Sequence, residues 1–309
     1  MTKIVSVLCL ACLIVLAGCS SQPDPVGVSN ARDDAARPEG DESQAAYRID
    51  APSPASAADP GLDLKWSQLT HKKIVTIAAA KWGLSTARVN NLTAASEMPD
   101  VYQSGLDAAY NQQWSHAFML TSYGWWYWGD ADDDFYDNLN QSSGEIESPE
   151  GYKGLSAKYY YQAANQYMGD WYLGYACHYI EDVCLVLHTT IPDWYMATKH
   201  FAFETWVENN LTAGWKLLDA VTADNSYYVV TDPKTAVNQA AYYTSGYYSS
   251  VAGKKAWDAY VASGFPTAAG TGNSTLVYYT KSMLVDAGRY VKGTMKYTLD
   301  KYGQWTNRY

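Results

Sequence analysis

The run CHYIEDVCLVLH, residues 177–188, constrains the fold most strongly, because it places ionisable side chains in a segment that otherwise suits a buried helix. His178 and Asp182 are four residues apart, and His188 follows six residues after Asp182. On a helix, residues four apart share a face with Cβ atoms roughly 5–6 Å apart, so His178 and Asp182 can bind one metal ion. The run therefore predicts a buried helix with a metal-binding face.

The same spacing recurs downstream at His200 and Glu204, in the run HFAFETWVE. His188 lies between the two pairs, just before TTIPDW, which predicts a loop. His116 and His71 lie upstream and complete the five histidines of the chain. A lone histidine is more often packed or exposed than a ligand, and a histidine–acid pair on a helix is commonly a simple side-chain pair. The combination of two such pairs favours a metal cluster.

The region from Leu64 to Tyr309 has mostly helical apolar spacing. Gly169 predicts a break between two of the helices, and SYYVVTD, ended by Pro233, is the best strand signal. We therefore predict an all-α, single-domain helical bundle with long loops. Its main predicted helices span residues 66–84, 155–169, 170–187, 199–221 and 274–303, the last being one long helix or a kinked pair.

The start of the chain has the features of a bacterial lipoprotein signal peptide, residues 1–19. An apolar run after Lys3 is too short for a membrane span, which needs roughly 20 residues, and LAGC predicts cleavage and lipidation at Cys19. A plain secretory signal is the alternative, and either exports the chain. Residues 20–65 are rich in Ala, Pro, Asp, Ser and Gly, which predicts a disordered tether or a pro-segment. We predict that residues 66–309 form the folded, phospholipase C-like catalytic domain.

Cys177 and Cys184 are the two cysteines of the folded region. Seven residues on one helix span about 10.5 Å, beyond the roughly 4.4–6.8 Å between Cα atoms that a disulfide tolerates. We predict buried free thiols, with soft metal ligands as the alternative. The net charge of −10 argues weakly against polyanionic partners.

The run GWWYWG supplies an aromatic cluster, Trp125, Trp126, Tyr127 and Trp128. Such clusters occur at membrane interfaces and around quaternary ammonium groups. A packed loop and a stacking platform for single-stranded nucleic acid remain the alternatives.

The chain carries the pattern His-x3-Asp-x5-His followed by His-x3-Glu, with SEMPD and a further histidine upstream. This pattern resembles the zinc-dependent phospholipase C family and its relatives, the S1/P1-type nucleases. KSMLVDAGRYVKGTMKYTLDKYG resembles their closing helix, and the resemblance covers most of residues 66–309. It implies an all-α fold of the phospholipase C/P1 nuclease type holding three zinc ions. The chain departs from the family signature, which has Gly, Pro, Ala and Asn, at four positions: Glu181, Val186, Thr190 and Pro192.

The resemblance also implies which side chains hold each zinc ion. One ion would be held by His188, His200 and Glu204, and a second by Asp100, His116, His178 and Asp182. His71 would hold the third, with Asp182 bridging the second and third ions. In the family, the third ion is completed by the amine and carbonyl of an N-terminal tryptophan, whose position Trp66 occupies. Cleavage before Trp66 would free that amine and release the enzyme from an anchor at Cys19. The alternative is that Trp66 is an ordinary core residue.

Oxygen and imidazole ligands without thiolates suit zinc, which activates water for phosphodiester hydrolysis. Asp100 is the candidate general base, although it can equally be a ligand alone. Glu204, where the nucleases usually carry aspartate, favours phospholipase C over nuclease.

The sequence therefore predicts an exported, monomeric zinc phospholipase C acting on membrane phospholipids, with no nucleic-acid partner. It would release diacylglycerol and a phosphorylated head group. The alternatives are an S1/P1-like zinc nuclease or nucleotidase, and a non-catalytic zinc-binding surface lipoprotein.

Overall fold

The computed structural model describes residues 68–101, 131–140, 156–189, 197–266, 268–303 and 305–306, all within the compact unit Asp59–Tyr309. Every regular element in these ranges is an α-helix, which confirms the predicted all-α class. The first half contains α1 Gln68–Lys81, α2 Thr86–Ser96, α3 Met98–Val101, α4 Ala131–Asn140, α5 Ala157–Gln162 and α6 Gln166–Val183. The second half contains α7 Val186–Thr189, α8 Ala197–Asn210, α9 Leu217–Ala223, α10 Pro233–Ser249, α11 Val251–Ser263 and α12 Ser274–Lys301.

Several predicted features lie outside the described residues: the signal peptide with Cys19, the tether, Trp66, His116 and the aromatic cluster Trp125–Trp128. Within the described residues, none of the helices is both long and apolar enough to cross a membrane.

Helix α6 occupies the centre of the bundle and packs against α2, α4, α5 and α12. The side chains of Leu173, Ile180 and Val183 on this helix are fully buried. Burying each such side chain stabilises the fold by about 1.5–3 kcal/mol. Cys177 and Cys184 are buried free thiols, as predicted. Burial raises the pKa of both thiols well above the ordinary value.

The break between α5 and α6 lies at residues 163–165, not at the predicted Gly169. Ala164 adopts a φ of 58°, outside the helical region, and the Asn165 side chain then accepts a hydrogen bond from the Met168 N–H to cap α6. Gly169 lies inside α6, where a Cβ atom would come within 2.5 Å of the Tyr161 ring. This glycine allows close packing and does not break the helix, so the prediction was wrong.

Two further predictions need correction. Residues 226–230 of SYYVVTD form no strand, and the Tyr228 N–H donates to a helix carbonyl, that of Arg289 on α12. Pro233 begins α10, with the Asp232 side chain as its cap.

The helix predicted over residues 199–221 is divided into α8 and α9, because Lys216 and Gly214 adopt positive φ angles. The long closing helix is confirmed as the uninterrupted α12.

A buried salt bridge joins α2 to the start of α6. The Arg88 guanidinium donates from Nε to Asp170 Oδ2 at 2.9 Å and from Nη2 to Asp170 Oδ1 at 2.6 Å. The Tyr161 hydroxyl of α5 donates to the same carboxylate at 2.5 Å. The Arg88 and Asp170 side chains are completely buried. We call Arg88, Tyr161 and Asp170 the arginine cluster; its opposite charges meet in a bidentate pair.

Candidate metal centre

Helices α1 and α6 bring His71, His178 and Asp182 together at the other end of α6. All three are completely buried, and one ligand atom from each lies within 4.8 Å of the others. Asp182 faces both imidazoles: Oδ1 lies 3.4 Å from His71 Nε2, and Oδ2 lies 3.1 Å from His178 Nε2. One carboxylate thus presents a different oxygen to each histidine.

Glu181 completes this arrangement from the opposite side of His71. Its Oε2 atom lies 2.9 Å from His71 Nδ1, and its side chain is also completely buried. The imidazoles of His71 and His178 are stacked, with ring centroids 4.0 Å apart and planes inclined by 28°. We call His71, His178, Glu181 and Asp182 the histidine cluster.

The backbone of α2 sets the orientation of His178. The His178 Nδ1 atom lies 2.8 Å from the Ser96 carbonyl oxygen. Because a carbonyl can only accept, Nδ1 carries the proton and donates, which leaves Nε2 directed at Asp182. Histidines that bind metals commonly donate their second ring N–H to a backbone carbonyl or a carboxylate. Ser96 and Glu181 occupy these two positions for His178 and His71.

The carboxylates also change the proton affinity of His71. Burial by itself would lower the pKa of His71, but hydrogen bonds to Asp182 and Glu181 outweigh burial and raise it well above 6.5. The nearby carboxylates therefore favour a positive charge at this position. A proton on Nε2 and a metal ion would compete for the same lone pair.

The donor atoms fit zinc. Imidazole nitrogen and carboxylate oxygen are ordinary zinc ligands at roughly 2.0–2.2 Å, so two ligands in tetrahedral geometry lie about 3.3 Å apart. The His71–Asp182 and His178–Asp182 distances of 3.4 Å and 3.1 Å are close to that separation. These distances are compatible with a metal ion bound by His71, His178 and Asp182.

The remaining predicted ligands are only partly described. His188 on α7 is completely buried, and Glu204 on α8 is 3% exposed. Asp100 lies in α3 and His200 in α8, but their side chains fall outside the described residues, as do Trp66 and His116. The metal-binding role of the full set stays a prediction.

Sequence reasoning missed Glu181 as a participant and treated it only as a departure from the family signature. The available signal was a second carboxylate directly before Asp182 in an otherwise apolar run. A buried glutamate requires a partner, and His71 Nδ1 is one within hydrogen-bonding distance.

No protein-family model and no curated protein matches the chain. Among solved structures, the chain is similar to the crystal structure of the alpha-toxin of Clostridium perfringens, isolated from avian strain SWCP. The two chains share 15% sequence identity, and the TM-score is 0.37. The match covers 79% of this chain and 66% of that chain, slightly less than two thirds of its length. A TM-score this low supports no conclusion about function.

Proposed function

We propose that the chain is a zinc-dependent phospholipase C that hydrolyses the glycerol-side phosphodiester of phospholipids. The observation that carries this proposal is the arrangement of Asp182, whose two oxygens face different histidines at 3.4 Å and 3.1 Å. A carboxylate in this position can hold two cations at once. The motif spacing that resembles the zinc phospholipases gives independent support.

When bound, zinc ions supply Lewis acidity for polarising a phosphate and activating water. The chain contributes the setting for that chemistry. His178 and Asp182 are fixed on one face of α6, with His178 oriented by Ser96 on α2. Because the cluster is completely buried, electrostatic attraction to a charged group is stronger there than in bulk water.

In the proposed reaction, a water oxygen forms a bond to phosphorus, and the bond between phosphorus and the glycerol oxygen breaks. The glycerol oxygen takes up a proton as it leaves, so the products are diacylglycerol and a phosphorylated head group. We propose Asp100 as the general base that accepts the proton of the attacking water. Helix α3, which carries Asp100, begins two residues after Ser96 and packs against α6.

The proposal also includes the second half of the ligand set and the cellular location. His188, His200 and Glu204 would hold a further zinc ion, and Trp66 and His116 would complete the others. Export would follow from residues 1–19. The enzyme would be anchored through Cys19 or released by cleavage before Trp66, and it would act as a monomer on membrane phospholipids.

Release of phosphocholine from phosphatidylcholine vesicles tests this function. We expect release by the zinc-loaded protein, loss after chelation, return with added zinc, and less than a hundredth of the rate in Asp182→Asn. Asp258→Asn, on the exposed face of α11, is the matched control and keeps the wild-type rate. If the zinc-loaded protein releases no phosphorylated head group from any phospholipid but hydrolyses single-stranded DNA, the protein is a nuclease and the phospholipase proposal is wrong.

A further inference from the structure

We propose that Glu181 is a positioning residue that fixes the tautomer and orientation of His71 for metal binding. This inference rests on the proposed zinc site and adds a residue that the family resemblance does not supply, because the signature has glycine at this position. The supporting contact is the 2.9 Å separation of Glu181 Oε2 and His71 Nδ1, between two completely buried side chains.

The direction of this hydrogen bond determines what His71 can do. A carboxylate is an acceptor, so His71 Nδ1 carries the proton and donates. In the neutral imidazole, the lone pair is then on Nε2, which lies 3.4 Å from Asp182 Oδ1. Glu181 therefore presents His71 Nε2 to the position where Asp182 would share an ion.

Consecutive positions on α6 produce this arrangement. Residues one apart on a helix project about 100° from each other, so Glu181 and Asp182 cannot share a face. The imidazole of His71 lies between them, with Nδ1 toward Glu181 and Nε2 toward Asp182. Glycine at position 181 could not make this contact. The role of Glu181 is therefore specific to a chain that carries an acid before the metal-binding aspartate.

The contact has two expected effects on zinc affinity. A carboxylate that accepts the second N–H of a ligand histidine makes that histidine more basic and holds its ring in place, and removal of such partners typically costs 10–100-fold in metal affinity. Gln at position 181 keeps an acceptor but removes the charge, whereas Leu removes both. We expect affinity to fall about 10-fold in Glu181→Gln and nearer 100-fold in Glu181→Leu.

The test is zinc titration of the metal-stripped full chain, followed at the ring nitrogens of His71 by ¹⁵N NMR, with resonance assignment by His71→Gln. Glu208→Gln, an exposed acid on α8, is the control and keeps wild-type affinity. With zinc bound, wild-type His71 should carry its proton on Nδ1 and coordinate the ion through Nε2. In zinc-loaded Glu181→Leu, the form protonated on Nδ1 should lose its dominance. A structural role alone would lower the unfolding midpoint without moving the tautomer.

Zinc bound through Nδ1 in the wild-type protein would overturn the inference, and this observation requires no variant to fold. Wild-type zinc affinity and tautomer in Glu181→Gln and Glu181→Leu would also overturn it. A different result tests the proposed function. If the His71 signals respond to zinc in the same way in the wild-type protein and in Asp182→Asn, the assignment of the metal site itself is wrong. The two failures are therefore separable.

Discussion

The arginine cluster and the histidine cluster both contain buried carboxylates of α6. The arginine cluster lies near the start of this helix, and the histidine cluster lies near its end. In the arginine cluster, Asp170 faces a guanidinium that is always charged, at 2.6 Å and 2.9 Å. In the histidine cluster, the described partners of Glu181 and Asp182 are the imidazoles of His71 and His178. Imidazoles are neutral when they bind a metal.

This difference separates a structural cluster from a candidate site. Asp170 and Arg88 balance each other, and bonds to α5 and α6 hold the pair in place. In the histidine cluster, the rings of His71 and His178 are stacked 4.0 Å apart, so positive charge on both rings would be unfavourable. A divalent cation bound by neutral imidazoles would supply positive charge beside the carboxylates instead. We therefore expect metal to affect the histidine cluster but not the arginine cluster.

The largest effect is expected from Arg88→Met, which leaves Asp170 buried without its charged partner. Breaking a buried ion pair on one side typically costs about 3–5 kcal/mol of unfolding free energy. Urea denaturation of the metal-free protein measures this loss. Replacing both partners, as in Arg88→Met with Asp170→Leu, should recover most of the stability. A cost below about 1 kcal/mol for the single variant would contradict the role assigned to the pair.

Zinc should stabilise the wild-type protein more than Asp182→Asn, which keeps only the proposed site of His188, His200 and Glu204. A ligand that binds the folded state at 100 times its Kd adds about 2.7 kcal/mol of stability. Thermal unfolding with and without zinc measures the difference, and Asp258→Asn should respond as the wild type does. Equal stabilisation of Asp182→Asn would place the ion elsewhere.

Gly174 tests whether the two clusters share a scaffold, because it lies between them where α6 approaches α2. A Cβ atom there would come within 2.6 Å of the Leu92 carbonyl oxygen and the Ala95 side chain. We expect Gly174→Ala to cost about 1–3 kcal/mol by overpacking and to weaken zinc binding as well. Gly246→Ala is the matched control: nothing lies within 4 Å of its Cβ position, so it should add about 0.5–1 kcal/mol. Unchanged stability in Gly174→Ala would show that α2 and α6 are less closely packed.

The stability of the metal-free protein should depend on pH through His71. The carboxylates raise the folded-state pKa of His71 well above 6.5, its value in the unfolded chain. The resulting stabilisation is fully present below pH 6.5 and is lost as pH rises through the folded-state pKa. His71→Gln should remove this dependence. Because zinc requires the deprotonated ring, zinc affinity should instead increase with pH, and a decrease would oppose the assignment of His71 as a ligand.

The smallest expected effect is the chemical modification of two thiols. Cys177 lies on α6 between the two clusters, and Cys184 lies just beyond the end of α6. Burial raises the pKa of both thiols, and neither should react with iodoacetamide at pH 8 in the folded protein. Peptide mass mapping should find both labelled only in urea. Labelling of Cys184 alone in the folded protein would indicate that the end of α6 with the histidine cluster opens independently.

Local sequence patterns predicted the features that depend on local periodicity. The spacing of His178 and Asp182 placed both on one face of a buried helix, and the apolar period of residues 274–303 predicted α12. Tertiary packing explains the errors. Gly169 accommodates the Tyr161 ring, and the Tyr228 N–H bonds to a helix carbonyl instead of a strand.

The contacts that define the two clusters join residues distant in the sequence. Arg88 and Asp170 are 82 residues apart, and His71 and Glu181 are 110 apart. Without the fold, the resemblance brought His71 to Asp182 but gave no reason to include Glu181. The charge of Glu181 was visible in the sequence, whereas its partner was not.

Zinc titration of the metal-stripped full chain, by calorimetry, tests the central claim most directly when wild type, Asp182→Asn and Asp258→Asn are compared. We predict tight zinc binding in the wild type and in Asp258→Asn, and loss of the affected site or sites in Asp182→Asn while the helical content stays the same. Identical zinc binding in all three proteins, or none in the wild type, would contradict the assignment of the histidine cluster as a metal centre.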